Sequence, residues 1–290
     1  MATALRKVVF PVAGFGTRFL PATKAIPKEM LPVVDKPLIQ YAVEEAQAAG
    51  LTEIIFVTGR GKTAMVDHFD HAYELEETLK AKGREELYRS LTEGMPPAGK
   101  IMTTRQQKAL GLGHAVWCAR HIIGNEPFAV SLPDVLTDPS KSALKELVEV
   151  YEETGGNVIT LKEVPRDDVK KYGIADTGGS QSARPPIRGL VEKPDPSRSP
   201  SRLHVLGRYI LQPEVLDEIE RGERGAGGEI QLTDAMARLI GKQPFHGSVY
   251  TGEFWDCGDK LGFLKANISL ALRRPELGSG LKAFLKDLNP

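Results

Sequence analysis

Residues 10–32 read FPVAGFGTRFLPATKAIPKEMLP: two glycines, an arginine and two lysines on a segment interrupted by Pro11, Pro21 and Pro27. Glycines let backbone N–H groups approach an anion closely. Arg18 adds a planar fork of donors and Lys28 a compact charge, both on a stretch that proline stiffens. The combination suits a triphosphate, because cations fixed in advance stabilise developing charge without reorganising. Two familiar phosphate devices do not fit. The dinucleotide fingerprint needs a third glycine where Phe19 stands, and Pro21, Pro27 and Pro32 forbid the helix that should follow. A Walker A loop would need a glycine at Phe56, upstream of the Gly-Lys-Thr at 61–63, so Lys62 reads as a solvated residue opening a helix. What remains is an irregular loop, begun by glycine, that wraps phosphates in its own backbone.

Further along, Asp134 follows FAVSLP and leaves a strand at its carboxyl end, where an open α/β sheet holds its ligands. Asp256, in FWDCGD, is a second carboxylate that could share a divalent ion with it. The six histidines are scattered. His68 and His71 lack a third ligand for zinc, and His114 and His121 flank Trp117 and Cys118 on a helix that reads as packed. Cys257 has no activating base beside it, which argues against a cysteine nucleophile.

These residues need a scaffold, and the hydrophobic pattern supplies one. KVVFPVA (7–13), EIIFVTG, KIMTTRQ and FAVSL read as strands. Between them PLIQYAVEEAQAAG, KTAMVDHFDHAYELEETLKAKG, REELYRSL and GLGHAVWCARHIIG read as helices, the first closing at Gly50. Strand alternating with helix predicts an α/β fold, Rossmann-like, with a mixed, mainly parallel central sheet flanked by helices. After the helix SALKELVEVYEETGG and the strand NVITLKEV the pattern changes to turns and short strands, with helices at PEVLDEIERG and EIQLTDAMARLIG. A strand, FHGSVYTG, and a helical region from about Lys260 complete it. The Ser/Pro/Arg stretch at 195–202 reads as a surface loop. The expectation is one domain, 1–290, whose first half, to about 135, takes a nucleotide. The second half, from about 136, completes the pocket opened by the first.

GFGTRFLPATKAIPKEMLPVVDKPLIQY closely resembles the signature of the sugar-1-phosphate nucleotidylyltransferases. The likeness continues through RQQKALGLGHAV, LPDVL, VEKP, GRYIL, GAGGEIQLTDA and DCGDKLG, from about residue 7 to about 285. The resemblance implies transfer of the uridylyl group of UTP to glucose 1-phosphate, giving UDP-glucose and pyrophosphate with Mg2+ as cofactor. By the same resemblance Ala13, Gly14 and Gly16 carry the nucleotide, Glu29 lies near base and ribose, and Arg18 and Lys28 meet the triphosphate. Gln106 and Gly111 read the uracil edge, with Gln107 an alternative to Gln106. Asp134 holds Mg2+ with Asp256 as second carboxylate. Gly173, Glu192 and Gly207 contact the sugar, and Lys193 binds its phosphate. A homo-oligomer, dimer or tetramer, is also implied.

The residue types suit that chemistry. Two anions must react, so repulsion is the main obstacle, and the attacking phosphate is already ionised. Carboxylates for a metal and lysines for phosphate are needed; a nucleophile with a base is not. Because uracil and thymine share an imide edge, thymidylyl transfer is an alternative, as is a nucleotide-sugar sensor without catalysis. Lys+Arg and Asp+Glu both number 38 in 290 residues, so there is no basic field for nucleic acid or an anionic membrane. No run approaches the roughly 20 apolar residues of a membrane span. Two cysteines and no signal-like start lead to the expectation of a cytoplasmic protein.

Overall fold

The computed structural model describes residues 5–288. Its strands in chain order are β1 (Lys7–Pro11), β2 (Pro32–Val33), β3 (Lys36–Pro37), β4 (Glu53–Thr58), β5 (Ile101–Arg105), β6 (Phe128–Ser131) and β7 (Val135–Thr137). The later ones are β8 (Asn157–Glu163), β9 (Gly173–Asp176), β10 (Gly189–Glu192), β11 (Leu203–Leu211), β12 (Phe245–Val249) and β13 (Phe254–Asp256). Nine of them form one sheet along the path β10-β9-β11-β6-β1-β4-β5, with β8 beside β11 and β12 beside β8. The four strands β6-β1-β4-β5 run parallel, Val9 lying opposite Ile55 and Val130, and β11 joins β6 antiparallel. This is the mixed, mainly parallel sheet that alternating strand and helix predicts.

Apolar runs suit these central strands because both faces are covered. Successive side chains alternate between two cores. Val9, Ile55 and Val130 pack with Val116, Ile219 and Met236 on one face. Val8, Phe10 and Phe56 pack with Ile39, Val43, Met65 and Leu147 on the other. Each such burial is worth about 1.5–3 kcal/mol. The chain winds outward from β1 to β4 and β5, then returns to β6 on the other side of β1. That reversal is a switch point, and it puts the loop after β1 over a crevice at the carboxyl ends of the strands.

Two helices are shorter than their patterns suggest. The stretch at 62–83 breaks into Thr63–Asp67 and Tyr73–Ala81. At the break Asp70 accepts from the backbone N–H of His71, whose ring bonds Glu76, so local polar groups replace the helical ladder. The stretch at 111–124 divides likewise into Leu112–Trp117 and Arg120–Ile123. Among the described residues no helix is long and apolar enough to cross a membrane.

Candidate active site

The loop leaving β1 makes three short 3-10 turns, Thr17–Phe19, Ala22–Lys24 and Lys28–Met30, instead of a helix. Gly16 starts it with φ 65°, and the Thr23 hydroxyl donates to the Gly16 carbonyl at 2.7 Å. A side chain at Gly16 would press against Lys28 and Thr23, so the loop is folded tightly on itself. Phe19 is anchored edge-on against Phe263, with ring centroids 5.5 Å apart. Lys28 is thereby held half-buried, its ammonium 2.5 Å from Asp134.

Asp134 sits where β6 turns into β7, and β7 pairs antiparallel with β13, Val135 opposite Asp256. The Cys257 N–H donates to the Asp134 carbonyl at 2.7 Å. That small sheet brings the two aspartates together across a long stretch of sequence. Around Gly258 they converge with a cation: a Cβ there would lie 2.9 Å from one Asp256 oxygen, 3.2 Å from one Asp134 oxygen and 3.5 Å from Arg18. Arg18 also donates to the Gly258 carbonyl at 3.4 Å. Burial by itself would raise the Asp134 carboxyl, but the Lys28 ammonium outweighs it, helped by Arg18, and holds it below its ordinary value. Asp256 goes the other way. Burial raises it, and the neighbouring charges of Asp134 and Asp259 add to the effect. One carboxylate is thus firmly ionised and the other carries its charge at a cost.

Behind Lys28 the structure corrects one expectation. Lys62 is not solvated: it is 8% exposed and its ammonium lies 2.8 Å from Glu29, which is 1% exposed. The Glu29 carboxylate is therefore buried and held by an ammonium from another loop. Burial pushes Glu29 up and Lys62 down, each toward neutrality, while their mutual attraction opposes both shifts.

Gln106 continues the pairing of β5, its N–H donating to the Thr58 carbonyl at 2.9 Å. Its side-chain Nε2 lies 3.0 Å from the Gly111 carbonyl and 3.0 Å from His114 Nδ1. Both amide hydrogens are then committed within the protein, so Gln106 presents an acceptor alone. Gln107 is exposed. Gly111 adopts φ 113°, and a Cβ there would lie 2.7 Å from the Ile230 carbonyl. The GLG turn and the EIQLTDA segment are therefore packed backbone to backbone.

The Glu192 carboxylate lies against Gly173 and Thr233: a Cβ at Gly173 would sit 3.1 Å from one Glu192 oxygen and 3.2 Å from the Thr233 hydroxyl. Lys193 has the left-handed φ of 48°, which turns its side chain into solvent with its ammonium 3.3 Å from Glu192. At Gly207, φ 80° lets β11 meet Leu132, whose N–H donates to the Gly207 carbonyl at 2.9 Å. Burial, then Glu192, and with them Asp134, push the hydroxyl of the buried Tyr209 up, so both carboxylates act on one ring. Ala13, Gly14 and Gly16 begin the loop beside β1, and nothing lies within 4 Å of a Cβ built at Gly14, which leaves its face open. Thr233, Gly258 and His114 were not singled out as site residues by sequence reasoning. Only the motifs holding them, EIQLTDA, DCGDKLG and GLGHAV, pointed to their neighbourhood.

A switch-point crevice with a glycine-led loop, paired cations and two converging carboxylates defines a nucleotide-handling transferase. The nucleotidyl transferase family model matches residues 7–271, and the chain belongs to that family. A UTP–glucose-1-phosphate uridylyltransferase of Komagataeibacter xylinus is 51% identical over 265 residues, covering 91% of this chain and 93% of that protein. Among solved structures, a UTP-bound UGPase from Acinetobacter baumannii superposes with TM-score 0.90 at 40% identity, covering 99% of this chain and all of that one. A UDP-glucose pyrophosphorylase complexed with UDP-glucose gives TM-score 0.82 at 39% identity, covering 93% and 100%.

Proposed function

We propose that this chain transfers the uridylyl group of UTP to glucose 1-phosphate, giving UDP-glucose and pyrophosphate. The observation that carries the reading is the meeting of Arg18, Lys28, Asp134 and Asp256 around Gly258. The substrates follow from relatives: one is named for both reactants, and two solved neighbours hold UTP and UDP-glucose. The first half, to about residue 135, would take the nucleotide and the rest the sugar phosphate, within one domain.

A phosphate oxygen of glucose 1-phosphate attacks the α-phosphorus of UTP, and the bond to the bridging oxygen breaks as pyrophosphate leaves with the electron pair. Arg18 and Lys28 neutralise the triphosphate, and Lys193 the sugar phosphate. Glu192 and the backbone at Gly173 and Gly207 orient the sugar; Gln106 and Gly111 meet the base. Asp134 and Asp256 supply hard oxygen donors that suit a divalent ion, Mg2+, which when bound would draw charge from the phosphates. Holding the reactants in line against their repulsion is the catalysis.

Exposed Leu261, Leu264, Ile268, Leu277 and Phe284 on the helices Lys260–Leu272 and Pro275–Asp287 support a homo-oligomer, dimer or tetramer, closed through that face. Free thiols at Cys118 and Cys257 fit the cytoplasm. The test is direct: purified protein with UTP, glucose 1-phosphate and Mg2+ should release pyrophosphate and UDP-glucose, faster than with dTTP. Silence with UTP ends the proposal.

A further inference from the structure

The hydrogen bonds of Gln106 form a chain of determined directions. The Gly111 carbonyl can only accept, so the Gln106 atom 3.0 Å from it is the amide nitrogen. The same nitrogen faces His114 Nδ1 at 3.0 Å, so Nδ1 must accept, and the ring carries its hydrogen on Nε2. The Cys118 thiol also lies 3.9 Å from Nδ1, a second donor converging on the same lone pair. His114 is held in place by stacking on Trp117, with ring centroids 5.9 Å apart. Among the described residues no hydrogen bond is made to Gln106 Oε1.

We infer that His114 sets base choice by fixing Gln106 as an acceptor only, so that the site takes a pyrimidine with an N3–H and turns away one whose N3 is itself an acceptor. The inference rests on the uridylyl-transfer reading and on Gln106 meeting the base. Uracil presents a hydrogen at N3; cytosine presents a lone pair there, which would face Oε1 without a proton between them. Held by Gly111 alone, the amide would keep its second hydrogen free beside Oε1 and could offer it to cytosine N3. With both of its hydrogens committed to Gly111 and His114, it cannot. His114 is a positioning residue: it acts on the base through Gln106.

Calorimetric titration with UTP and with CTP tests this on the wild type, His114→Leu and His114→Asn. Wild type should prefer UTP by roughly tenfold or more, the scale set by one buried unsatisfied acceptor. His114→Leu frees one amide hydrogen and should lower that preference by roughly fivefold. His114→Asn, whose carbonyl oxygen can replace the Nδ1 lone pair, should restore it. A preference unchanged in His114→Leu, equal weakening of both nucleotides, or an Asn variant as unselective as Leu would each overturn the inference while leaving uridylyl transfer standing. A wild type that binds neither nucleotide overturns both readings.

Discussion

Arg208 is 1% exposed, and its guanidinium forks onto Glu45 at 3.0 and 2.8 Å. The same guanidinium donates to the Leu132 and Val135 carbonyls at 2.9 and 2.7 Å, on either side of Pro133 and Asp134. The other Glu45 oxygen accepts from the Leu144 N–H at 3.0 Å and the Thr137 hydroxyl at 3.1 Å. A buried ion pair with every direction filled therefore braces the loop that carries Asp134.

Removing one partner of such a pair strands a buried charge. Arg208→Met should cost about 3–5 kcal/mol of stability by urea unfolding. A cost under about 1 kcal/mol would mean that water reaches Glu45 and the brace is not a buried one.

Glu29 and Lys62 present the same physics behind the phosphate loop. Lys62→Met leaves a buried carboxylate unpaired and should destabilise by about 3–5 kcal/mol, whereas adding Glu29→Gln to Lys62→Met should recover much of the loss, with Glu29→Gln alone as the fourth corner beside the wild type. Denaturant melts of the four proteins form the cycle, and strictly additive losses would contradict the pairing.

The two aspartates around Gly258 should respond oppositely to loss of charge. Asp134 is held below its ordinary value, so its contribution is present above the unfolded value and lost as pH falls through the folded one. Asp134→Asn should lower stability at neutral pH by about 1.5–3 kcal/mol. Asp256 is raised, so the folded state binds more protons between its two values, and stability declines as pH rises through that window. Asp256→Asn, whose Oδ1 can still accept from the Gly258 N–H, should be neutral or stabilising by about 1 kcal/mol. Both should lose metal-dependent turnover. Thermal melts beside activity assays decide it, and a destabilised Asp256→Asn would refute the reading.

Lys193 should matter to rate and not to folding. Its side chain is half-exposed with a single ion pair, so Lys193→Ala should shift stability by no more than about 0.5 kcal/mol. Turnover should fall by roughly 10²- to 10³-fold, the scale of losing one donor to developing charge. A fall of less than about twofold would remove it from the reaction.

His204 is 2% exposed between the rings of Tyr172 and Phe254, and burial brings it down to about 4. Its unfolded value is about 6.5, so between these two values the unfolded chain binds the extra proton and stability is lost as pH falls. The loss should reach about 3 kcal/mol at the acid end. Melting temperatures of wild type and His204→Phe across pH 7 to 4 should converge toward neutrality and separate in acid if this holds. Parallel curves would show that the ring is not the source.

Short apolar runs, helically spaced apolar residues and the Gly/Pro pattern are enough to read the parallel strands, most helices and the loop after β1, because each of those features is set by neighbours a few residues apart. The exit of β6 placed Asp134 for the same reason. Lys62 shows the limit: nothing within several residues of it signals burial, since its partner Glu29 arrives from another loop. Asp256 meets Asp134 only because β13 pairs with β7, and Arg208 finds Glu45 across the interior. A short pattern encodes which face a side chain takes. Whether a charge is solvated, paired or aimed at a substrate depends on distance in space, and that is decided only once remote segments close on one another.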